Sequence, residues 1–290
     1  MFCLCYPRKD DLLCRMPELP EVETVTRALN RFLINSRITA ITTHVEKLRY
    51  KLEIELFDDH LPSNIMAIRR RAKYIIVELS NKKGFLIHLG MTGSFRLESI
   101  HERRQKHDHV EFLLDDSQVL RYNDPRRFGF IKMIEIPAQG LDPVELPRLA
   151  PEPFSEKFNI NWLQKACKAK SKPIKNLIMD NAYVVGVGNI YASESLFRAG
   201  IHPLKPAGTL SRPRLKRLHT AIIEVLEQAI RAGGTTIINF TSMNSQVGYF
   251  SQELKVYDCF GELCKKCNKG RIQRLILAGR STYFCKVCQR

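Results

Sequence analysis

The spacing of hydrophobic residues changes along the chain, and each pattern predicts a different kind of structure. Residues 18–33 (ELPEVETVTRALNRFL) place Val22, Val25, Leu29 and Leu33 on one face of a helix. Between residues 37 and 136 short β-rich runs follow one another, separated by Gly, Asn and Asp turns; the clearest are Tyr74–Leu79, Gly84–His88, Val110–Leu114 and Phe128–Ile136. Such a series predicts a β-sandwich or barrel rather than alternating strand and helix units.

The second part of the chain has a helical period. It begins after a proline-rich stretch over residues 136–153 and predicts helices over residues 160–168, 173–180, 190–199 and 211–232. The last of these ends at Gly233-Gly234, which is a typical helix C-terminus. The sequence therefore predicts an α+β protein with a β-rich N-terminal domain, a linker, a helical domain and a small Cys-rich C-terminal region.

Charge separates the same two parts. Residues 1–150 carry 24 basic and 21 acidic residues, whereas residues 151–290 carry 22 and 9. A basic region of this kind is typical of proteins that bind nucleic acid. No apolar run approaches the roughly 18 residues needed for a membrane span. Residues 1–15 lack the long apolar segment and small-residue cleavage site of a signal peptide, so we expect a soluble intracellular protein.

Cysteines near the C-terminus have the spacing of a metal site. Two CxxC pairs, separated by 17 residues, comprise Cys264, Cys267, Cys285 and Cys288. This spacing is typical of a structural four-Cys zinc site, which leaves no open position for catalysis. The intervening residues predict two short strands around Ala278-Gly279, and hence a β-hairpin zinc finger. Cys259 lies outside the spacing and is not expected to be a ligand.

Two further features of the basic half could contact phosphate. Gly186–Asn189 forms a glycine-containing turn before a predicted helix, where backbone N–H groups can bind an anion. DNA phosphate fits this turn better than a nucleotide, because the context of a dinucleotide fold and the lysine of a P-loop are both missing. Arg280 lies near the predicted tip of the hairpin, whereas Arg271 and Arg274 are expected to be solvated surface residues.

The most specific signal is the segment Met16–Glu23 (MPELPEVE), which resembles the N-terminal signature of the bacterial formamidopyrimidine-DNA glycosylases, base-excision enzymes that act on 8-oxoguanine. The match continues in order along nearly the whole chain from Met16, through Arg70–Tyr74 (RRAKY), His88–Ser94 (HLGMTGS), Lys106–Val110 (KHDHV), Asp124–Gly129 (DPRRFG), Gly186–Glu194 (GVGNIYASE) and the zinc ribbon.

The resemblance implies a domain organisation. It comprises an N-terminal β-sandwich with an N-terminal helix over residues 17–136, a linker over 137–155, a helix-two-turn-helix DNA-binding domain over 156–258 and a zinc finger over 259–290 that holds one structural Zn²⁺. The partner would be double-stranded DNA containing oxidised purines or abasic sites. The protein would be a monomer in the bacterial cytoplasm, associated with the nucleoid through DNA.

The resemblance also implies a mechanism. In the family the initiator Met is removed, so the exposed proline, here Pro17, is a secondary amine that attacks C1′ of the damaged nucleotide and forms a Schiff base. Glu18 matches the general acid that protonates and opens the deoxyribose. Lys73 and Arg280 match the residues assigned to β- and δ-elimination, which make the enzyme an abasic-site lyase. Glu23 is interpreted as an ordinary acid of the first helical turn.

Other matched positions concern DNA binding. Met91, Arg126 and Phe128 would fill the space that the everted base leaves, with the arginine facing the orphaned cytosine. His107, Lys170 and Asn189 match DNA-contact positions, although His109 could be confused with His107. The sequence does not identify which residues between Thr235 and Tyr249 contact the everted base.

One feature departs from the family: the chain begins fifteen residues before Met16. The nitrogen of Pro17 within a peptide bond is an amide and is not nucleophilic. We therefore expect that residues 1–16 are absent from the active protein, either because Met16 is the true start, which we favour, or because the segment is cleaved. A third reading is a DNA-binding protein without lyase activity.

Alternative functions remain open at this point. An endonuclease VIII-type glycosylase would prefer oxidised pyrimidines, but Leu19 after Pro17-Glu18 and the combination of Met91, Arg126 and Phe128 favour the formamidopyrimidine type. A non-catalytic zinc-ribbon protein would bind DNA without cleaving it and would not need the Pro17-Glu18 pair. An RNA-binding protein would usually carry aromatic stacking platforms, which are not evident here.

Overall fold

The computed structural model describes residues 16–115, 117–138, 142–234, 240–241 and 253–290. These residues divide into two compact units, one formed mainly by residues 21–145 and the other mainly by residues 18–20, 146–234 and 253–290. In the described part of the chain no helix has the length and apolar character needed to cross a membrane. The predicted extension, residues 1–16, lies outside the described residues except for Met16.

The described residues of the first unit form two helices and nine strands. The elements are α1 (Leu19–Leu33), β1 (Arg37–Thr43), α2 (Ile54–Asp58), β2 (Ser63–Arg71), β3 (Tyr74–Leu79), β4 (Lys83–His88), β5 (Ser94–Ser99), β6 (Asp108–Leu114), β7 (Gln118–Asn123), β8 (Phe130–Glu135) and β9 (Phe240–Thr241). The strand order is β8-β4-β3-β2-β1-β6-β7-β5-β9. All pairings are antiparallel except that of β5 with β9.

This arrangement confirms the predicted β-sandwich. The pairing of β1 with β2 is limited to two residue pairs, Arg37↔Asn64 and Ile38↔Ser63, so the order divides there into two layers. A single hydrophobic core includes inward side chains from strands on both sides of this division and the apolar face of α1. Phe85 of β4 and Phe112 of β6 meet edge to face with ring centroids 5.5 Å apart. The alternating apolar pattern of the strands is therefore explained by burial in one core.

In its described residues the second unit has four α-helices, a short 3-10 helix (Ala207–Thr209) and the C-terminal hairpin. The elements are α3 (Ile160–Cys167), α4 (Ile174–Ile178), α5 (Asn189–Ala199), α6 (Arg212–Arg231), β10 (Ile272–Leu277) and β11 (Arg280–Cys285). Their apolar faces form one helical core, and a smaller core lies beneath the hairpin. The helices and the hairpin lie where the sequence predicts them, and the fold is α+β as expected.

Local sequence explains where these helices begin and end. The side chain of Asn159 accepts hydrogen bonds from the backbone at the start of α3, which satisfies N–H groups that lack helical partners. Gly200 ends α5 in the left-handed conformation, and a proline occupies the first turn of α6.

Candidate DNA-processing site

The carboxylate of Glu18 lies at the N-terminus of α5. It accepts hydrogen bonds from the backbone N–H of Gly188 at 2.7 Å and of Ile190 at 2.9 Å, with a longer contact to Tyr191 at 3.4 Å. Glu18 is only 3% exposed. These backbone N–H donors and the positive end of the helix stabilise the negative charge of this buried side chain.

Glycine is required at the contact. A Cβ atom at Gly188 would lie 2.3 Å from Cδ of Glu18, which is too close for any other residue. Gly186 has φ +80°, and a Cβ there would lie 2.4 Å from the side chain of Leu19. The sequence predicts a DNA phosphate on this turn. The structure differs, since the N–H groups of Gly188 and Ile190 donate to the Glu18 carboxylate of the same chain.

A buried lysine joins α4, α5 and the hairpin. Lys175 is 1% exposed, and its Nζ donates to Oδ1 of Asn189 at 2.5 Å and to Oγ1 of Thr282 at 2.7 Å, with a longer bond to the Ser281 carbonyl at 3.3 Å. Nδ2 of Asn189 also donates to the Ser281 carbonyl. Burial lowers the pKa of Lys175 to about 7; the negative charge of Glu18 opposes this effect and Arg280 adds to it.

These bonds hold the base of the strand that begins with Arg280. Leu277 pairs with Arg280, and Ala278-Gly279 forms the two-residue turn between β10 and β11. Both turn residues have positive φ, which matches the right-handed twist of a tight hairpin. Arg280 is therefore at the hairpin tip and exposed, as the sequence predicts.

A second buried acid connects α5 to the segment before the hairpin. Glu194 is 5% exposed and accepts hydrogen bonds from the backbone N–H of Lys255, Val256 and Tyr257 at 2.8–3.2 Å. Burial raises the pKa of this carboxyl, although the backbone donors act in the opposite direction. The helix α5 is thus bonded to this segment through Glu194 and to β11 of the hairpin through Asn189.

The four predicted ligand cysteines converge. Their Sγ atoms all lie within 4.8 Å of one another, with Cys264 and Cys288 at 3.8 Å and Cys267 and Cys285 at the same distance. These distances are too long for disulfide bonds, and all four thiols are free. Four thiolates about 2.3 Å from a central ion in a tetrahedron would be separated by about 3.8 Å, so the set fits a structural metal ion. Cys259 is not part of the cluster, since its Sγ lies near the Tyr257 carbonyl.

Lys73 lies in the two-residue turn between β2 and β3 rather than on a strand. The guanidinium of Arg70 supports this turn, since it donates to the Ala72 carbonyl at 3.0 Å and to Glu23 at 2.7 Å. Burial alone would raise the pKa of Glu23, but Arg70 and Arg27 outweigh it and the pKa lies below its ordinary value. Glu23 is therefore more than a first-turn acid: it anchors the arginine that holds the Lys73 turn.

A neutral histidine lies near Lys73 at the end of β4. Burial, with the positive charges of Lys73 and Arg49, lowers the pKa of His88 to about 4. Its Nδ1 accepts the backbone N–H of Gly90 at 3.0 Å, and its ring stacks on Phe130. An unprotonated Nδ1 is the state that this hydrogen bond requires. His88 thereby fixes the start of the loop that carries Met91.

The three residues expected to enter the duplex lie on two loops of the first unit. Met91 is half-buried in the loop after β4, while Arg126 and Phe128 lie in the loop after β7. The guanidinium of Arg126 lies 4.7 Å from the ring centroid of Phe128, which is 46% exposed. The exposure of Phe128 shows that it is not a core residue. An exposed ring with a guanidinium over it suits a surface that contacts bases.

The other expected DNA contacts differ in accessibility. His109 is buried and bonded to the Asp124 carbonyl, whereas His107 is partly exposed, so the geometry favours His107 as the contact. Lys170 is exposed and lies 5.7 Å from the Tyr183 ring. Asn189 is engaged by protein groups in the Lys175 network, which gives it a structural task in addition to the predicted one.

Several residues of these networks are not identified by the sequence reasoning. Lys175 and Asp124 lie within the part of the chain that resembles the family. However, the sequence around a single Lys or Asp does not show whether its side chain is buried or exposed. The bond of Glu23 to Arg70 spans 47 positions and has no local pattern. The region between Thr235 and Tyr249, where contacts with an everted base are expected, lies outside the described residues apart from Phe240–Thr241.

Comparisons with known proteins agree with this organisation. The family described as the formamidopyrimidine-DNA glycosylase N-terminal domain matches residues 16–131, and the H2TH domain of the same enzymes matches residues 149–241. A formamidopyrimidine-DNA glycosylase of Rickettsia conorii is 44% identical over 274 residues, which cover 94% of this chain and 99% of the relative. One of Alcanivorax borkumensis is 45% identical over 278 residues and is covered completely.

Solved structures show the same fold. A Lactococcus lactis enzyme in complex with DNA containing Fapy-dG has a TM-score of 0.84 at 34% identity, covering 94% of this chain and 100% of that one. The wild-type Lactococcus lactis enzyme with DNA containing an oxidised pyrimidine has a TM-score of 0.85 with the same identity and coverage. The Thermus thermophilus protein has a TM-score of 0.82 at 34% identity, covering 94% and 98% of the two chains.

Proposed function

This chain belongs to the formamidopyrimidine-DNA glycosylase family, and we propose that it excises oxidised purines such as 8-oxoguanine and formamidopyrimidines from duplex DNA and then cleaves the abasic site. The observation that carries the proposal is the pair Pro17-Glu18. Pro17 is buried, and the carboxylate of the next residue is held on the N-terminus of α5 by backbone N–H groups.

The first step requires Pro17 as a free secondary amine. Such an amine has a pKa of roughly 7.7–8.0 and is partly neutral near pH 7. Its lone pair attacks C1′ as the bond from C1′ to the base breaks, and the base takes a proton from solvent. The Glu18 carboxylate accepts the proton that the proline nitrogen releases and passes it to the sugar ring oxygen as the ring opens, which leaves an iminium between the proline nitrogen and C1′.

The elimination steps require proton transfer and stabilisation of phosphate. Lys73 is proposed for β-elimination, in which a C2′ proton is removed and the 3′ phosphate leaves. Arg280 is proposed for δ-elimination, in which the 5′ phosphate leaves. A lysine on a supported turn and an arginine on a hairpin tip present a point charge and a planar fork, both of which bind phosphate well.

We propose Zn²⁺ for the cluster of four cysteines, because four thiolates in a closed tetrahedron are the usual ligands of structural zinc. The ion would contribute folding energy to the hairpin and no chemistry. Its role in the reaction is indirect, since the hairpin carries Arg280.

DNA binding involves Met91, Arg126 and Phe128, which would occupy the space left by the base, while His107, Lys170 and Asn189 would contact the DNA. A preference for oxidised pyrimidines is a second candidate, since one of the solved relatives was crystallised with such DNA. Excision of 8-oxoguanine opposite cytosine, compared with excision of thymine glycol at equal enzyme concentration, distinguishes the two.

The same proposal predicts the N-terminus of the active enzyme. Because an amide nitrogen cannot form a Schiff base, the active form begins at Pro17. The test is to purify the protein from its own host, incubate it with an 8-oxoguanine:cytosine duplex under borohydride, and map the cross-linked peptide by mass spectrometry.

A peptide that begins at Pro17 and carries the DNA adduct would support the proposal. The same reaction with an undamaged duplex is the matched control and should give no adduct. Tight binding without an adduct, in a protein that retains Met1, would instead indicate a DNA-binding protein without lyase activity.

A further inference from the structure

The two loops that carry Met91, Arg126 and Phe128 meet around one buried carboxylate. Asp124 has no exposed surface and directly precedes the loop with Arg126 and Phe128. Its Oδ1 accepts the hydroxyl of Thr92 at 2.5 Å, and its Oδ2 accepts the backbone N–H of Gly129 at 2.8 Å. Thr92 follows Met91 directly, so this single side chain joins the two loops.

The backbone of Asp124 adds contacts to the same region. Its N–H donates to the His107 carbonyl at 3.1 Å, and its carbonyl accepts the N–H of Arg127 and Nε2 of His109, each at 3.1 Å. The hydroxyl of Thr92 also accepts the backbone N–H of Arg126 at 3.3 Å. The loops that carry Met91, Arg126 and Phe128 are thus bonded, together with the His107 segment, to Asp124 or to its partner Thr92.

The loops are packed closely enough that a small shift would move both. A Cβ at Gly90 would lie 2.4 Å from the backbone of Phe128 and of Gly129. The hydroxyl of Tyr122, which is fully buried, donates to Oδ2 of Asp124 at 3.4 Å from below the loops. The backbones of the two loops are therefore in direct contact at Gly90.

We propose that Asp124 is a positioning residue for base eversion: it fixes the two loops relative to each other so that Met91, Arg126 and Phe128 enter the duplex as one unit and Arg126 faces the orphaned base. The inference rests on the proposed function. A buried carboxylate is costly unless its oxygens accept hydrogen bonds, and here the donors come from both loops. Asp124 therefore favours the one arrangement of the loops that satisfies it.

The experiment measures insertion into DNA without the chemical steps. The full-length chain binds duplexes that contain a stable tetrahydrofuran abasic analogue opposite cytosine or opposite adenine, and the two dissociation constants are compared by fluorescence anisotropy. A 2-aminopurine beside the analogue reports unstacking. An arginine aligned with a base edge discriminates on the order of tenfold between bases.

For Asp124→Asn we expect the preference for cytosine over adenine to fall at least about fivefold, while binding to undamaged duplex is unchanged. The amide keeps the shape of the side chain but replaces one acceptor oxygen with a donor, so either the Thr92 O–H or the Gly129 N–H loses its acceptor. Thr92→Val should act in the same direction with a smaller effect, and Thr92→Ser should restore the preference.

The control for general destabilisation is Ile65→Ala. Ile65 is buried in the hydrophobic core of the first unit. It pairs with Leu79 at one end of β3, whereas the other end of β3 pairs with His88, which precedes the Met91 loop. It should lower the melting temperature without changing the preference for cytosine.

Three results would overturn the inference. One is an unchanged preference in both Asp124→Asn and Thr92→Val. Another is an equal loss of preference in Ile65→Ala at a matched melting temperature. If the wild-type chain does not distinguish the abasic analogue from undamaged DNA, the proposed function fails together with the inference, whereas the first two results leave that function intact.

Discussion

The buried lysine of the second unit provides a quantitative test of the structure. Burial lowers the pKa of Lys175 from 10.5 to about 7. The unfolded chain therefore holds a proton on this residue between pH 7 and 10.5 that the folded protein has released, so the free energy of unfolding rises with pH across this window. Since one pKa unit corresponds to about 1.36 kcal/mol, burial of the charged form lowers stability by at most about 5 kcal/mol.

The substitution Lys175→Met isolates this effect, because methionine has a similar length and does not titrate. The variant lacks this titrating group, so its unfolding free energy should not rise with pH for this reason. We therefore expect the unfolding free energy of the wild type, minus that of the variant, to increase by roughly 2–5 kcal/mol from pH 7 to pH 10. Urea unfolding followed by far-UV circular dichroism at half-unit pH intervals measures it, and other titrating groups cancel in the difference.

A matched control is Lys172→Met. Lys172 lies three positions earlier, is largely exposed and pairs with Asp180, so its removal should leave the pH dependence unchanged. A difference between wild type and Lys175→Met that varies by less than about 1 kcal/mol across the window would refute the assignment of the low pKa to burial. The same result in both variants would show that the effect is not specific to the buried position.

Three further predictions concern the acid, the metal ligands and the neutral histidine. Glu18→Gln should lower base excision by at least about 100-fold, since general acid catalysis is lost, while duplex binding measured by anisotropy stays within about twofold. Comparable excision would contradict the role of Glu18, and Glu55→Gln, at an exposed position of α2, is the control. Removal of metal by a chelator, or Cys285→Ser, should abolish strand cleavage and unfold the hairpin, because thiolate ligation supplies its folding energy. Re-addition of Zn²⁺ should restore cleavage by the chelated wild type but not by the variant. Full cleavage by metal-free protein would count against the site. For His88, with its pKa of about 4, ring signals in ¹⁵N NMR should show a neutral side chain down to about pH 5 with the proton on Nε2. A charged ring at pH 6 would disprove the assignment. Because the pKa in the unfolded chain is higher, the contribution of His88 to stability is present above about pH 6.5 and is lost as the pH falls toward 4.

Much of this protein could be predicted from the sequence, and the successful predictions share one property. The β-rich region, the helices and the hairpin follow from residue patterns repeated over short distances, since a period of two or of 3.6 residues determines which side chains are buried. The Cys264-x2-Cys267 and Cys285-x2-Cys288 pairs also could be recognised locally, because each pair forms on its own turn. The resemblance in the Met16–Glu23 segment likewise depends on consecutive residues.

The contacts that shape the site are of a different kind. Glu18 reaches Gly188 across 170 positions, and Lys175 reaches Thr282 across 107. No period or spacing in the sequence connects such residues. The sequence therefore predicts an external phosphate on the glycine turn, whereas in the structure the Glu18 carboxylate accepts hydrogen bonds there.

The sequence by itself determined the elements, the cysteines that cluster and the family to which the chain belongs, because these depend on local patterns and on motifs in order. Only the tertiary structure decided the partners of the buried charged groups. A buried charge must find hydrogen-bond donors or acceptors wherever folding brings them, and at Glu18, Lys175 and Asp124 these came from distant parts of the chain.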